Sequence, residues 1–225
     1  MGFTNKKIRI SLIIILSGFF VVSAQQIPSD FKFVQDELPT IVIEQRYAGN
    51  HNFVGRPVVG YEGRGPILTQ EACKALAKAQ AYFNSRGFEL KIFDGYRPQK
   101  AVNDFVQWSN DSSDTLMKSE FYPNLPKDKL FELGYIAEKS GHSRGSTIDL
   151  TLIHIETGQE LDMGSPYDFF GKISGVNYED LTVVQKKNRQ LLQEGMISFG
   201  FQPYLEEWWH FTLKDEPFPD RYYDF

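Results

Sequence analysis

The 225-residue chain has a single cysteine, Cys73. No disulfide can close within it, so packing, with metal where one binds, must hold the fold. It also lacks an excess of positive charge: 24 Lys and Arg stand against 29 Asp and Glu, a net −5, which speaks against nucleic acid as a partner. No internal repeat, low-complexity segment or interdomain linker is present. A long hydrophobic run is missing too: the apolar stretch Ile10–Val22 covers about 13 residues, short of the ~20 that cross a bilayer, so a leader is expected there in preference to an uncleaved membrane anchor. Lys6, Lys7 and Arg9 precede that run and Val22-Ser23-Ala24 follows it, the layout of a secretory signal peptide. The expectation is a leader over residues 1–24 and one mature domain over 25–225, exported, periplasmic and with no lasting membrane partner. The leader has no acidic residue, so the mature part is more acidic than the whole, and no cysteine flags a lipoprotein.

What is present centres on Ser140–Leu152, Ser-Gly-His-Ser-Arg-Gly-Ser-Thr-Ile-Asp-Leu-Thr-Leu. From Thr147 the residues alternate as in a half-buried strand, with Ile148, Leu150 and Leu152 on one side and Asp149 on the polar side. Gly145 supplies a position for φ > 0 that folds the preceding segment back, so His142 and Asp149 can converge. Two such side chains invite a metal, and a third partner must come from elsewhere in the chain.

The other elements follow from periodicity and punctuation. Residues 40–47 read as a first strand, with His51 in the glycine-rich loop after it. Thr69 caps a helix running to about Ser85, with Ala72, Leu76, Ala79 and Phe83 on its inner face and Gly87 ending it. Cys73 falls in or near the core. Phe88–Phe93 reads as a strand, Asp94-Gly95 as a turn, and Pro98 starts a helix burying Ala101, Val102, Phe105, Val106 and Trp108. Arg97 is thereby fixed at a strand-to-helix junction, where scaffolds present functional groups. Residues 109–127 form an irregular excursion and Lys127–Glu138 a short helical piece. His154 shares the parity of Ile148, away from Asp149, and Asp168 lies in an unremarkable loop. Asn177 caps the longest helix, with an apolar stripe through Leu181, Val184, Leu191, Leu192 and Phe199.

Extended chain then reaches Glu206-Glu207-Trp208-Trp209-His210. A glutamate just before a histidine suits a zinc hydrolase, in which an imidazole binds metal and a nearby carboxylate takes a proton from water. In a regular strand Glu206 shares the face of His210; a backbone turn would bring Glu207 instead. Spacing leaves both open. The two tryptophans read as core.

Together, Asp94-Gly95-Tyr96-Arg97-Pro98, Ser140-Gly-His142 through Asp149, and Glu207-Trp-Trp-His210 closely resemble the VanX-type D-alanyl-D-alanine dipeptidases. These are relatives of zinc D-Ala-D-Ala carboxypeptidases and, more distantly, of the hedgehog signalling domain. The likeness spans nearly all of the mature chain. It implies an α+β single domain in which a small antiparallel sheet, flanked by helices, carries one zinc ion on His142, Asp149 and His210. It implies Glu207 as general base then acid, Arg97 as the oxyanion partner, and Ser140, Tyr47 and Asp168 as contacts of a small D-amino-acid dipeptide. The best-known members act in the cytoplasm; an exported chain points instead to D-amino-acid salvage or cell-wall turnover. Two other readings follow from the same likeness: a peptidoglycan D,D- or L,D-carboxypeptidase, and a zinc-containing binding domain without turnover.

Overall fold

The computed structural model describes Gly2, residues 27–63 and residues 65–225; the expected leader, Gly2 apart, lies outside them. Among the described residues there are seven strands and five helices, in the order β1 (Phe31–Phe33), α1 (Val34–Glu37), β2 (Val42–Ile43), β3 (Ile67–Thr69), α2 (Gln70–Asn84), β4 (Phe88–Asp94), α3 (Gln99–Asn110), α4 (Lys118–Phe121), β5 (Thr147–His154), α5 (Val183–Ser198), β6 (Phe201–Pro203) and β7 (His210–Leu213). This is an α+β architecture. Among the described residues no helix is long and apolar enough to cross a membrane.

The main sheet runs β2-β4-β5-β7-β6, with β1 and β3 forming a separate pair. It is antiparallel except at its edge, where the two-residue β2 pairs with β4 in parallel. Only Val42 and Ile43 of the expected first strand join it; Arg46–Ala48 closes into a 3-10 turn instead. In α2, Thr69 accepts from the Ala72 amide as the expected cap, and Ala72, Cys73, Leu76, Ala79 and Phe83 are buried.

One face of the sheet packs Leu90, Ile92, Ile148, Leu150 and Leu152 against Leu76 and Phe83 of α2 and Leu192 and Met196 of α5. The opposite face is covered as well. A second, aromatic cluster of Tyr47, Phe53, Phe105, Trp108, Tyr122 and Phe170 is built on α3 and the loops around it. Thr147, Asp149 and Thr151 are therefore buried, and β5 is not the half-exposed strand its alternation suggested. Alternation reports polarity, and a polar face can still be roofed when it serves a site.

Two other local expectations differ. The longest helix is capped by Thr182, not Asn177: its hydroxyl accepts from the Gln185 amide while the Gln185 side chain accepts from the Thr182 amide, a reciprocal capping box. Its buried face is Arg189, Leu192 and Met196, and Val184 is exposed. Residues 127–138 make one 3-10 turn and then bends. Here the buried Lys127 ammonium bonds the carbonyls of Asp111 and Asp114 at 2.6 Å, tying the start of the segment to the preceding excursion, and local turn bonds at residues 129–135 do the rest.

Candidate metal centre and active-site cleft

Register assembles the centre. β4, β5 and β7 are neighbours, and Asp94, Asp149 and His210 fall opposite one another across them, the first pairing made possible by an irregularity between Ile92 and Asp94. Cross-strand partners share a face and bring side chains together. His142 arrives from the 3-10 turn Gly141–Arg144, which Ser140 caps by accepting from the His142 amide. That turn ends at Gly145, whose φ of +82° a glycine adopts freely; a Cβ there would run into the Phe31 ring.

The His142 Nδ1 lies 2.7 Å from the Gly95 carbonyl. A carbonyl only accepts, so Nδ1 carries the proton and Nε2 is left to face the centre. Nε2 is 3.3 Å from Asp149 Oδ1 and 3.3 Å from His210 Nδ1, and His210 Nδ1 is 3.1 Å from Asp149 Oδ1. Donors about 2.0–2.1 Å from one tetrahedral ion stand roughly 3.3 Å apart, so this triangle fits such an ion. Asp149 Oδ1, shut off from solvent, has no hydrogen-bond partner, which an ion would supply. Asp149 Oδ2 accepts from the Tyr167 hydroxyl at 3.1 Å.

The electrostatics of the bare centre match. Burial disfavours charge on His210, but the carboxylates of Asp149 and Glu207 outweigh it and raise the imidazole to about 9. Burial likewise opposes ionisation of Asp149, yet His142 and His210 hold it far below the usual carboxylate range. The bare centre is thus a carboxylate beside a protonated His210 imidazole, whose place as counter-charge a metal ion can take.

Of the two glutamates, the backbone brings Glu207 to the centre. Residues 204–209 turn before β7 begins: the Tyr204 amide bonds the His210 carbonyl at 2.9 Å and the Glu207 amide bonds that of Tyr204 at 3.2 Å. Glu207 Oε2 sits 3.4 Å from His210 Nδ1 and lines the cleft; Glu206 is exposed and outside it. Trp208 and Trp209 are buried in the core.

Arg97 is held over the centre by Asp94, its Nε and Nη2 donating to Oδ2 at 3.1 and 2.8 Å. Tyr61 donates to the same carboxylate at 2.8–2.9 Å. Arg97 Nη2 stands 3.8 Å from Asp149, and its guanidinium lies 5.0 Å from the centre of the Tyr47 ring. Tyr47 donates to Asp168 Oδ2 at 2.7 Å. Asp168 is 6% exposed, and burial pushes its carboxyl well above the ordinary range despite that bond. Its φ of +61° is the only positive value at a non-glycine among the described residues. Ser140, Tyr47, Arg97, Asp168 and Glu207 all border, with the three metal-centre residues, one cleft of about 510 Å³.

All eight residues singled out from sequence thus meet in one place. His51 and His154 do not: the first bonds Arg46 and Glu120 at the surface, and the second is exposed at the far end of β5. Sequence reasoning missed Asp94 as the clamp on Arg97, Tyr61, Tyr167 and the Gly95 carbonyl. Asp94 had a signal, since an aspartate three residues before an arginine at a junction can turn back onto it; the others depend on tertiary approach alone.

A model of the D-ala-D-ala dipeptidase family Peptidase_M15 matches residues 28–225. The chain is 43% identical to a D-alanyl-D-alanine dipeptidase of Streptomyces coelicolor over 87% of its length and 97% of that protein's. It is 42% identical to the dipeptidase of the same name from Enterococcus faecalis, over 87% and 96%. The one from Enterococcus faecium is 40% identical over the same shares.

Proposed function

The chain belongs to the Peptidase_M15 family of D-Ala-D-Ala dipeptidases, and on that premise we propose that its cleft hydrolyses the D-alanyl-D-alanine dipeptide with one zinc ion held by His142, Asp149 and His210. The observation that carries this reading is the convergence of three metal donors, a glutamate beside them and a clamped arginine in one cleft. Two imidazoles and a carboxylate suit zinc, and three protein donors leave a position open, as a catalytic site requires. Zinc bound there supplies a Lewis acid that polarises the peptide carbonyl and acidifies water.

The remaining work falls to the chain's own groups. Glu207 takes the proton from the attacking water on its carboxylate and passes it to the leaving amine. Arg97, unable to swing away from Asp94, stabilises the developing oxyanion, a contribution on the order of 3 kcal/mol for a fixed donor. Asp168, steadied by Tyr47, receives the substrate ammonium; ionisation of its buried carboxyl is favoured once that cation arrives. Ser140, which borders the cleft beside Arg97, is a further polar contact for the dipeptide. Asp168 is buried, and Tyr47, Phe53 and Phe170 wall the same cleft, which suits a free amino end, and the family's dipeptidase relatives point the same way. That favours the dipeptide over longer stem peptides. The leader motif supports export to the cell envelope, and with it D-alanine salvage or cell-wall turnover.

The zinc-loaded protein is expected to release D-alanine from the free dipeptide, and Glu207→Ala to lose at least about a hundredfold in kcat while retaining zinc. Undiminished turnover in that variant would rule out Glu207 as the base. Preference for an N-blocked tripeptide would favour the carboxypeptidase reading instead.

A further inference from the structure

Arg189 is 2% exposed in the middle of α5 and borders no part of the cleft. A buried guanidinium ordinarily pairs with a carboxylate. This one donates to three backbone carbonyls: Nε to Met163 at 2.6 Å, Nη1 to Gly175 at 2.7 Å and Nη2 to Ile173 at 2.8 Å. Burial lowers it to about 10, so it stays charged at neutral pH.

Its three acceptors stand at the two ends of one loop. Met163 opens the loop, Ile173 and Gly175 close it, and between them the chain has only the 3-10 turn Lys172–Ser174. Smaller bonds lock the same loop. Ser174 donates to the Phe169 carbonyl at 2.6 Å, Ser165 and Ser174 hydroxyls meet at 3.1 Å, and Trp208 Nε1 donates to Ser165 at 3.0 Å. At its tip are Tyr167, which holds Asp149, and Asp168 in its left-handed conformation. Such a conformation persists only where the surroundings over-determine it.

We propose that Arg189 is a positioning residue for recognition of the substrate's amino end: by drawing the loop ends together it holds Asp168 and its Tyr47 partner where an ammonium group lands. The proposal rests on the amino-end role assigned to Asp168 above. A planar guanidinium reaches three carbonyls at fixed angles, whereas a lysine ammonium or a methionine cannot. Asp149 is fixed by its pairings in β5 and takes only the Tyr167 bond from the loop, whereas Asp168 depends on the loop for its whole conformation, so loosening the loop costs binding of the charged amino end before it costs the chemistry at the metal.

The test compares D-Ala-D-Ala with D-lactyl-D-alanine, in which a hydroxyl replaces the ammonium, on zinc-loaded full-length protein. Arg189→Met is expected to raise KM for the dipeptide about tenfold with kcat within about threefold, and to leave kcat/KM for the lactyl compound within about threefold. Arg189→Lys should fall between. Ser174→Ala, which removes the hook on Phe169 without emptying the core, should move KM in the same direction and keeps the test alive if Arg189→Met does not fold. Equal losses on both substrates, or no loss on either, would overturn the positioning role. Equal turnover of the two compounds by the unsubstituted protein would instead sink the assignment of Asp168 to the ammonium.

Discussion

Asp94 and Asp104 are both buried carboxylates held by an arginine, and what else faces them separates their roles. Asp94 is fully buried beside Asp149 and His142, and burial outweighs Arg97 so that its carboxyl is raised. It orients Arg97 over the cleft at the expense of an easily held charge. Asp104 sits on α3, where Arg56 grips it through two bonds at 2.7 and 2.8 Å and the Val59 amide adds a third. The Arg56 bonds lower its carboxyl. A depressed carboxylate contributes stability that is present above its unfolded pKa of about 3.9 and is lost as pH falls through the folded value. Asp104→Asn should therefore lower stability by about 1 kcal/mol at pH 7, discounted because Arg56 is half exposed. Urea unfolding at pH 7 and at pH 3 checks this; a difference between the proteins that does not shrink at pH 3 would contradict it.

The turn that delivers His142 is as much a part of the metal centre as the strands. Gly145→Ala forces a side chain into φ +82° and against Phe31, a combination of backbone strain and overpacking worth roughly 2–4 kcal/mol. Because His142 sits three residues earlier, zinc content and activity should fall together with Tm. A variant of lower Tm that still binds zinc with unchanged affinity would uncouple turn from site. This element was legible in advance, as were α2, β4 and β5, because glycine, capping threonine and strict alternation act over a few residues. What escaped depended on distant atoms. Neither Thr182 nor Asn177 stands out as a cap until Gln185 answers one of them, and Lys127 looks like a surface lysine until the carbonyls of Asp111 and Asp114 close on it. The choice between Glu206 and Glu207 likewise hinged on one turn ahead of β7. His142, Asp149 and His210 stood out by residue type and Arg97 by its junction, whereas Ser140, Tyr47 and Asp168 came only through the family resemblance. Of their supports Asp94 alone had a local signal, and Tyr61, Tyr167 and Arg189 had none, because burial gives those side chains their task.

At the scale of the whole molecule the metal centre joins parts of the chain that nothing covalent connects. His142 precedes β5 and His210 opens β7, 68 residues later, and the only cysteine, Cys73, is buried in α2 with its thiol pushed up to about 12 by burial. Donor atoms gathered on an acidic oxygen lacking a hydrogen-bond partner stabilise the fold fully only when an ion satisfies them. An ion that binds the folded chain and not the unfolded one adds RT ln(1 + [L]/Kd), about 2.7 kcal/mol at a hundredfold excess over Kd. At 2–4 °C per kcal/mol for a domain of this size, that becomes roughly 5–10 °C in Tm. Chelation should therefore lower Tm by about that much and zinc should restore it, whereas His142→Ala should melt at one temperature with or without chelator. The comparison also separates cohesion from chemistry. Glu207→Ala leaves all three donors in place, so its Tm should respond to zinc as fully as that of the unsubstituted protein while its turnover does not return.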